Sequence, residues 1–296
     1  MKIAIIGAGE IGKAINKIIE NKAYEVFMWD KDESKNFPKG LSFHDAVYNA
    51  DFIFLCVPSK FLRNVLLDIS KVDIEKTILI GVSKGMEEKT NMTNIEIYED
   101  IFPNNNNFVV LSGPMLAEEI MENKFSGALL ASKKQYALDQ VSEIFKNTTL
   151  ITRTSDDPYS VAVLGVLKNI YAILSGISDG FDSGNNTKSL LITLAIAEMK
   201  KILEILFENG EDAISLAGLG DFLTTSSGLF SKNYSFGFEM AKYGKSEIMS
   251  EGRISIPFFY EKLKPYVSNL SLFSAVYKIV LGENVEKEFK NIFNKL

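Results

Sequence analysis

Met1-Lys2-Ile3-Ala4-Ile5-Ile6-Gly7-Ala8-Gly9-Glu10-Ile11-Gly12 opens the chain. A short apolar run rich in β-formers passes straight into a G-x-G-x-x-G sequence, and a helical pattern over Lys13–Asn21 follows. Strand, glycine loop and helix in that order form a phosphate cradle. The glycines allow a tight turn, close approach to a pyrophosphate and close helix–strand packing, while the helix start offers unpaired N–H groups and a positive dipole end. Gly7, Gly9, Glu10, Ile11 and Gly12 are therefore candidate dinucleotide-binding residues. The motif alone is weak; its position between a strand and a helix gives it weight.

Further β-rich runs follow at Glu25–Trp29, Phe52–Val57, Thr77–Gly81, Phe108–Leu111, Ala128–Ala131 and Leu150–Thr152. Helical patterns fall between several of them, including Lys60–Asp68 and Tyr136–Phe145. Alternation of this kind predicts an α/β, Rossmann-type, doubly wound and mostly parallel sheet. Ser155-Asp156-Asp157-Pro158 carries helix-start chemistry. Beyond it, Val161, Leu164, Leu167, Tyr171 and Leu174 recur at helical spacing and β-rich runs become scarce. The expectation is a dinucleotide-binding domain over residues 1–155 and an all-helical substrate-binding domain over 156–296. The run Asn104–Asn107 reads as a turn inside the first domain.

Asp30 closes the second predicted strand, about 20 residues past the glycine loop, where an acid can bond a ribose 2′-hydroxyl. That favours NAD. Lys31 and Lys35 beside it could accept the 2′-phosphate of NADP, so both cofactors stay open. A single cysteine, Cys56, excludes a disulfide framework, and a single histidine, His44, makes imidazole catalysis a poor expectation. The net charge of −6 argues against a general nucleic-acid or membrane-surface binder. No run reaches about 18 uninterrupted apolar residues, and the opening apolar run is too short for a signal-peptide core, so no membrane insertion and a cytoplasmic location are expected.

Several polar stretches look out of place in a core. Ser83-Lys84-Gly85 and Ser112-Gly113-Pro114 follow predicted strand ends, where open α/β sheets bind ligands. Lys168-Asn169 interrupts an apolar helix, and Gly218-Leu219-Gly220-Asp221 is followed by Thr224-Thr225 and Ser231-Lys232-Asn233. Singly, each has an ordinary explanation as a surface lysine, a turn or a helix cap.

Taken together with Ala50-Asp51, Val57-Pro58-Ser59, Ala117-Glu118-Glu119, Gly184-Asn185-Asn186-Thr187-Lys188, Ala197-Glu198-Met199 and Glu251-Gly252, these stretches resemble bacterial NAD(P)-dependent glycerol-3-phosphate dehydrogenases nearly end to end. The resemblance implies reversible reduction of dihydroxyacetone phosphate to sn-glycerol 3-phosphate, supplying phospholipid synthesis. It implies Lys168 as proton donor and acceptor, with Lys84, Asn169, Asp221 and Thr225 at the reacting end. Ser231, Lys232 and Asn233 would hold the substrate phosphate, with Lys232 also near the cofactor. Gly113 would touch substrate, and Ala117, Lys84, Val267 and Asn269 the cofactor. The active site would lie in the cleft between the domains, and the helical half is a candidate homodimer surface.

The chemistry is coherent without a family name. Ketone reduction needs a hydride, a proton and stabilisation of a developing alkoxide, and a buried lysine can serve the last two. Burial and a like charge from Lys84 would ease proton release, while Asp221 orients the ammonium. The chain departs from the resembled pattern at several positions. Glu10-Ile11 replaces Ser-Trp, Met115-Leu116 follows Gly113-Pro114 in place of Ser-Phe or Ser-His, and Ala162 replaces a glutamate. Asn269-Leu270-Ser271-Leu272 stands for Glu-Met-Pro-Ile. Lys232 replaces an arginine, in a chain whose only arginines are Arg63, Arg153 and Arg253. Two rivals follow: a small ketone or imine reductase such as pyrroline-5-carboxylate reductase, and a non-catalytic NAD(H)-binding sensor.

Overall fold

The structure, a computed structural model, describes residues 1–105, 107–228 and 231–294. Asn106 of the asparagine run lies outside them. The chain divides into two compact units, residues 1–87 with 92–162, and residues 88–91 with 163–296.

The first unit holds strands β1 (Lys2–Ile6), β2 (Glu25–Trp29), β3 (Phe52–Leu55), β4 (Ile78–Gly81), β5 (Phe108–Ser112), β6 (Ser126–Ala131) and β7 (Leu150–Ser155). Between them lie helices α1 (Glu10–Ile19), α2 (Phe43–Val47), α3 (Ser59–Ile69), α4 (Asn94–Ile101), α5 (Ala117–Met121) and α6 (Gln135–Phe145). The seven strands form one sheet in the order β2-β1-β3-β4-β5-β6-β7. β1 to β5 are mutually parallel; β6 runs antiparallel to β5, and β7 parallel to β6. The carboxyl ends of β1 to β5 therefore share one edge, which carries the glycine loop, Asp30, Lys84 and Gly113. The order reverses at β1, between β2 and β3, the switch point at which such sheets leave a crevice.

The central strands are apolar because both faces are covered: on one, Ile3, Ile5, Phe54, Ile80, Val109 and Leu130 are buried with Ile15 and Ile19 of α1 and Val141 and Phe145 of α6, and on the other Ala4, Ile6, Ile53, Leu55 and Leu79 are buried too. Each such side chain contributes about 1.5–3 kcal/mol. β3 stops at Leu55, two residues before the expected Val57. β7 runs on to Ser155 and is half exposed, as an edge strand can be.

The second unit is helical. It takes most of α7 (Pro158–Gly180), then α8 (Gly184–Phe207), α9 (Asp221–Ser226), α10 (Lys232–Tyr243), α11 (Glu251–Leu263), α12 (Ser271–Val280) and α13 (Val285–Phe293). The Asp157 carboxylate accepts the Ser160 N–H at 3.0 Å, and Pro158 takes the first helical position, where its missing N–H costs nothing. The division between the units falls inside α7, seven residues beyond the boundary expected from the sequence. α7 is long and apolar enough to cross a membrane by length and composition, yet it is buried within the protein. α7 and α10 meet through glycines. A Cβ on Gly176 would lie 2.0 Å from the Tyr234 carbonyl oxygen, and one on Gly237 2.0 Å from that of Ile173.

Candidate functional site

In the first unit the glycine loop has the expected shape. Gly7 sits at φ +103°, and a Cβ there would lie 2.6 Å from the Cys56 carbonyl oxygen. A Cβ on Gly12 would meet the Gly7 oxygen at 2.0 Å. Gly9, by contrast, faces open space and caps α1 with no side-chain partner for the helix N–H groups. An open glycine over an uncapped helix start is what a dinucleotide pyrophosphate fits. Glu10 is exposed at the first helical position, and Ile11 packs against the core.

Asp30 is held more tightly than its terminal strand position suggests. Its Oδ2 accepts the Ala8 N–H at 2.8 Å and its Oδ1 the Asp32 N–H at 3.0 Å, while its own N–H donates to Asn36 Oδ1 at 2.7 Å. The acid after β2 is thus a latch on the glycine loop. Nearby Cys56 is buried, and desolvation pushes its thiol pKa up to about 12.

After β4, the Lys84 ammonium donates to the Gly113 carbonyl at 3.0 Å, bringing together two residues 29 apart in sequence. Ser83 Oγ donates to the Val57 carbonyl at 2.6 Å and Asn94 Nδ2 to the Ser83 carbonyl at 3.0 Å, fixing the backbone that carries Lys84. Ala117 opens α5 half-buried against the core, and Met115 packs beside it. Met115 therefore has a packing role in place of a hydroxyl. Ala162 is buried in α7.

In the second unit, Lys168 is 8% and Asp221 3% exposed. The Lys168 ammonium donates to Asp221 Oδ1 at 3.1 Å and to Thr225 Oγ1 at 2.8 Å. Thr225 Oγ1 in turn donates to the Asp221 carbonyl at 2.7 Å, one helical turn back in α9. The turn Leu216–Gly220 aims this helix: Ser215 Oγ accepts the Ala217 and Gly218 N–H groups. A buried ammonium is tolerable only with such partners, and removing one partner of a buried pair costs about 3–5 kcal/mol.

A second polar group lies one residue along α7. Asn169 Oδ1 accepts from Asn233 Nδ2 at 2.9 Å, and Asn233 Oδ1 accepts the Gly252 N–H at 2.8 Å. A Cβ on Gly252 would meet the Asn169 carbonyl oxygen at 2.4 Å, so only glycine fits there. Ser231 caps α10 by accepting the Tyr234 N–H at 3.3 Å, and Lys232 is exposed at the first helical position. Ser231-Lys232-Asn233 thus forms a helix start of the sort that binds anions. Val267 and Asn269 lie apart from these groups, in a single 3₁₀ turn whose Asn269 carbonyl accepts from Lys201 Nζ at 3.1 Å.

Reading the sequence missed Glu198 and Tyr171 as a polar pair. Tyr171 OH donates to Glu198 Oε1 at 2.8 Å, and burial next to this carboxylate pushes the Tyr171 pKa well above its ordinary value. A glutamate among Leu191, Ala195, Met199, Ile202 and Leu203, the otherwise apolar stripe of α8, was the available signal.

A mostly parallel sheet with a glycine loop at its switch point, in a chain that also holds a helical unit with a buried, hydrogen-bonded ammonium, is the framework of an NAD(P)-dependent oxidoreductase. Residues 34–138 match the N-terminal part, and residues 157–291 the C-terminal part, of the NAD-dependent glycerol-3-phosphate dehydrogenase family. The glycerol-3-phosphate dehydrogenase [NAD(P)+] of Teredinibacter turnerae is 30% identical, over 82% of this chain and 77% of that protein. That of Staphylococcus saprophyticus is 28% identical over 99% and 98%. A crystal structure of glycerol-3-phosphate dehydrogenase from Coxiella burnetii superposes with a TM-score of 0.87, covering 99% and 98% of the two chains at 23% identity, a likeness of fold. The chain belongs to the NAD(P)-dependent glycerol-3-phosphate dehydrogenase family.

Proposed function

We propose that the protein reversibly reduces dihydroxyacetone phosphate to sn-glycerol 3-phosphate with NAD(P)H. The observation that carries this reading is the buried Lys168 ammonium bonded to Asp221 and Thr225 in a chain of this family. Gly7, Gly9, Gly12 and Asp30 would hold the dinucleotide, with Glu10 and Ile11 beside it and Ala117, Val267 and Asn269 contributing later contacts. When bound, the reduced nicotinamide supplies the hydride.

Lys168 gives its proton to the ketone oxygen as that oxygen becomes an alkoxide, and takes it back in the reverse direction. Asp221 and Thr225 fix the direction of the Nζ–H bonds. Lys84 adds positive charge, and the carbonyl of Gly113 sets its orientation. The start of α10 takes the substrate phosphate through its N–H groups, Ser231 and Lys232, while Asn169 and Asn233 hold one another in place beside it. The imine-reductase alternative has no use for this phosphate site or for the Lys168 group. The same proposal places the protein in the cytoplasm as a homodimer that feeds phospholipid synthesis.

Mixing the purified protein with NADH and dihydroxyacetone phosphate tests it directly. Absorbance at the reduced-nicotinamide band should fall rapidly. Lys168→Met should lower kcat by about a thousandfold or more while NADH binding persists. NADH binding without turnover by the wild type would instead favour the sensor.

A further inference from the structure

Residues 31–40, which follow β2, are exposed with a single exception, and that exception is polar: Asn36 is 6% exposed. A buried amide costs free energy unless its ends are bonded. Both ends are bonded here. Asn36 Oδ1 accepts the Asp30 N–H at 2.7 Å, and Asn36 Nδ2 donates to the Leu41 carbonyl at 3.3 Å. The next residue ties the segment to the strand. The Phe37 N–H donates to the Met28 carbonyl at 2.9 Å, and the Met28 N–H to the Phe37 carbonyl at 2.8 Å. The segment thus turns back onto β2, the edge strand of the sheet.

The same turn encloses Asp30. Its carboxylate takes the Asp32 N–H on Oδ1 and the Ala8 N–H of the glycine loop on Oδ2, and its own N–H is taken by Asn36. Asp30 is therefore fixed at backbone and side chain alike. A relay of two bonds runs from Asn36 through Asp30 to the loop that carries the open Gly9. All of these groups belong to the first unit. The bond to the Asp30 N–H sets the peptide plane from which the carboxylate projects. An ionised carboxylate has about four acceptor sites, so one backbone N–H on each oxygen leaves room for a hydroxyl donor.

We propose that Asn36 is a positioning residue for the coenzyme: it fixes the peptide of Asp30 and so aims the carboxylate at the ribose 2′-hydroxyl. This rests on the assignment of Asp30 and the glycine loop to the dinucleotide made above. Asn36 acts through Asp30 and not by touching the coenzyme. NADH offers Asp30 a hydroxyl donor, whereas the 2′-phosphate of NADPH meets it as a like charge. Loss of the aim therefore weakens NADH and spares NADPH.

The test measures the Kd for NADH and for NADPH by nicotinamide fluorescence, beside thermal unfolding. The proteins are the wild type, Asn36→Ala, Asn36→Asp, Asp30→Ala and the double variant with alanine at both positions. In Asn36→Ala the Kd for NADH should rise about fivefold, the loss of one neutral hydrogen bond, while that for NADPH changes by less than about twofold. Asn36→Asp keeps an acceptor for the Asp30 N–H, and its Kd for NADH should stay within about twofold of the wild type. With Asp30 already replaced by alanine there is no carboxylate to aim, so the second substitution should leave both Kd values unchanged. Equal weakening of both coenzymes by Asn36→Ala, or wild-type NADH affinity in that folded variant, would overturn the proposal and leave Asn36 a structural residue of the turn. If Asn36→Ala does not fold, Asn36→Asp decides: wild-type NADH affinity upholds the proposal, and a loss of about fivefold overturns it. A ratio of the two Kd values that Asp30→Ala leaves unchanged would overturn the ribose assignment and this inference together. Absence of NADH binding in the wild type would overturn the dinucleotide reading itself.

Discussion

Lys168, Asp221 and Thr225 form a closed ring of donors and acceptors, and each member has a separable task. Thr225→Val removes one acceptor from the ammonium and frees the Asp221 carbonyl. We expect about a tenfold fall in kcat with a loss of about 1 kcal/mol in stability, measured by steady-state assay and urea denaturation. Lys232 keeps the positive charge of the usual arginine but lacks its fork of donors. Lys232→Arg should lower the KM for dihydroxyacetone phosphate severalfold, and an unchanged KM would show that Lys232 does not meet the phosphate. Cys56 offers a pH-dependent case. Its folded pKa, about 12, lies above the ordinary thiol value of 9.0, so the folded state keeps a proton that the unfolded state sheds between those values. Its contribution to stability is full below pH 9 and is lost as pH rises towards 12. The native thiol should accordingly resist alkylation at pH 8 and react at once in denaturant. The resemblance suggested roles for these residues and set Asp221 against the Lys168 ammonium, but it did not give the bonds that Thr225 makes. Nothing in the sequence joins Lys168 to Thr225, 57 positions away, until α7 and α9 are packed together.

The elements themselves were largely legible, because strands buried on both faces must be short and apolar and α7 must repeat at 3.6 residues. Their ends were less so. α1 starts at Glu10 rather than Lys13, since Gly9 provides an extended cap that no periodicity marks. The reversal of direction at β6 also escaped, because strand composition does not encode direction in a covered sheet. The α7–α10 crossing is another feature that only packing reveals. Gly176 and Gly237 look like helix-weakening residues, but each admits the backbone of the other helix. Gly176→Ala or Gly237→Ala should cost about 1–3 kcal/mol, seen as a lower urea midpoint. Because α10 begins with Ser231, Lys232 and Asn233, substrate KM should rise in the same variants. Ser231→Ala should cost about 1 kcal/mol through loss of the cap alone.

At the scale of the whole molecule, the glycine loop and the lysine group belong to different units: the first to residues 1–87 with 92–162, the second to 163–296 with 88–91. The alternating pattern of the first half and the helical period of the second set the expected boundary near residue 155. The exact place of the division was not visible, since a continuous helix carries it and the composition of α7 does not change there. Binding to the first unit should stabilise it by mass action, by about 2.7 kcal/mol at NADH concentrations 100 times Kd. Calorimetry should show the transition of that unit rising in temperature with NADH, or the single transition if both units melt together. No rise at millimolar NADH would contradict the dinucleotide assignment.

The latch between Asp30 and Ala8 bears on any attempt to retarget the coenzyme. Removing the acid to admit a 2′-phosphate also releases the amide that keeps the loop in shape, so selectivity and loop order cannot be varied independently by truncation. Asp30→Ala should weaken both coenzymes. Asp30→Asn preserves an acceptor for the Ala8 N–H while discarding the negative charge, and it should shift the NADPH to NADH ratio of kcat/KM upward without that general penalty. A redesign would begin from the amide rather than the acid.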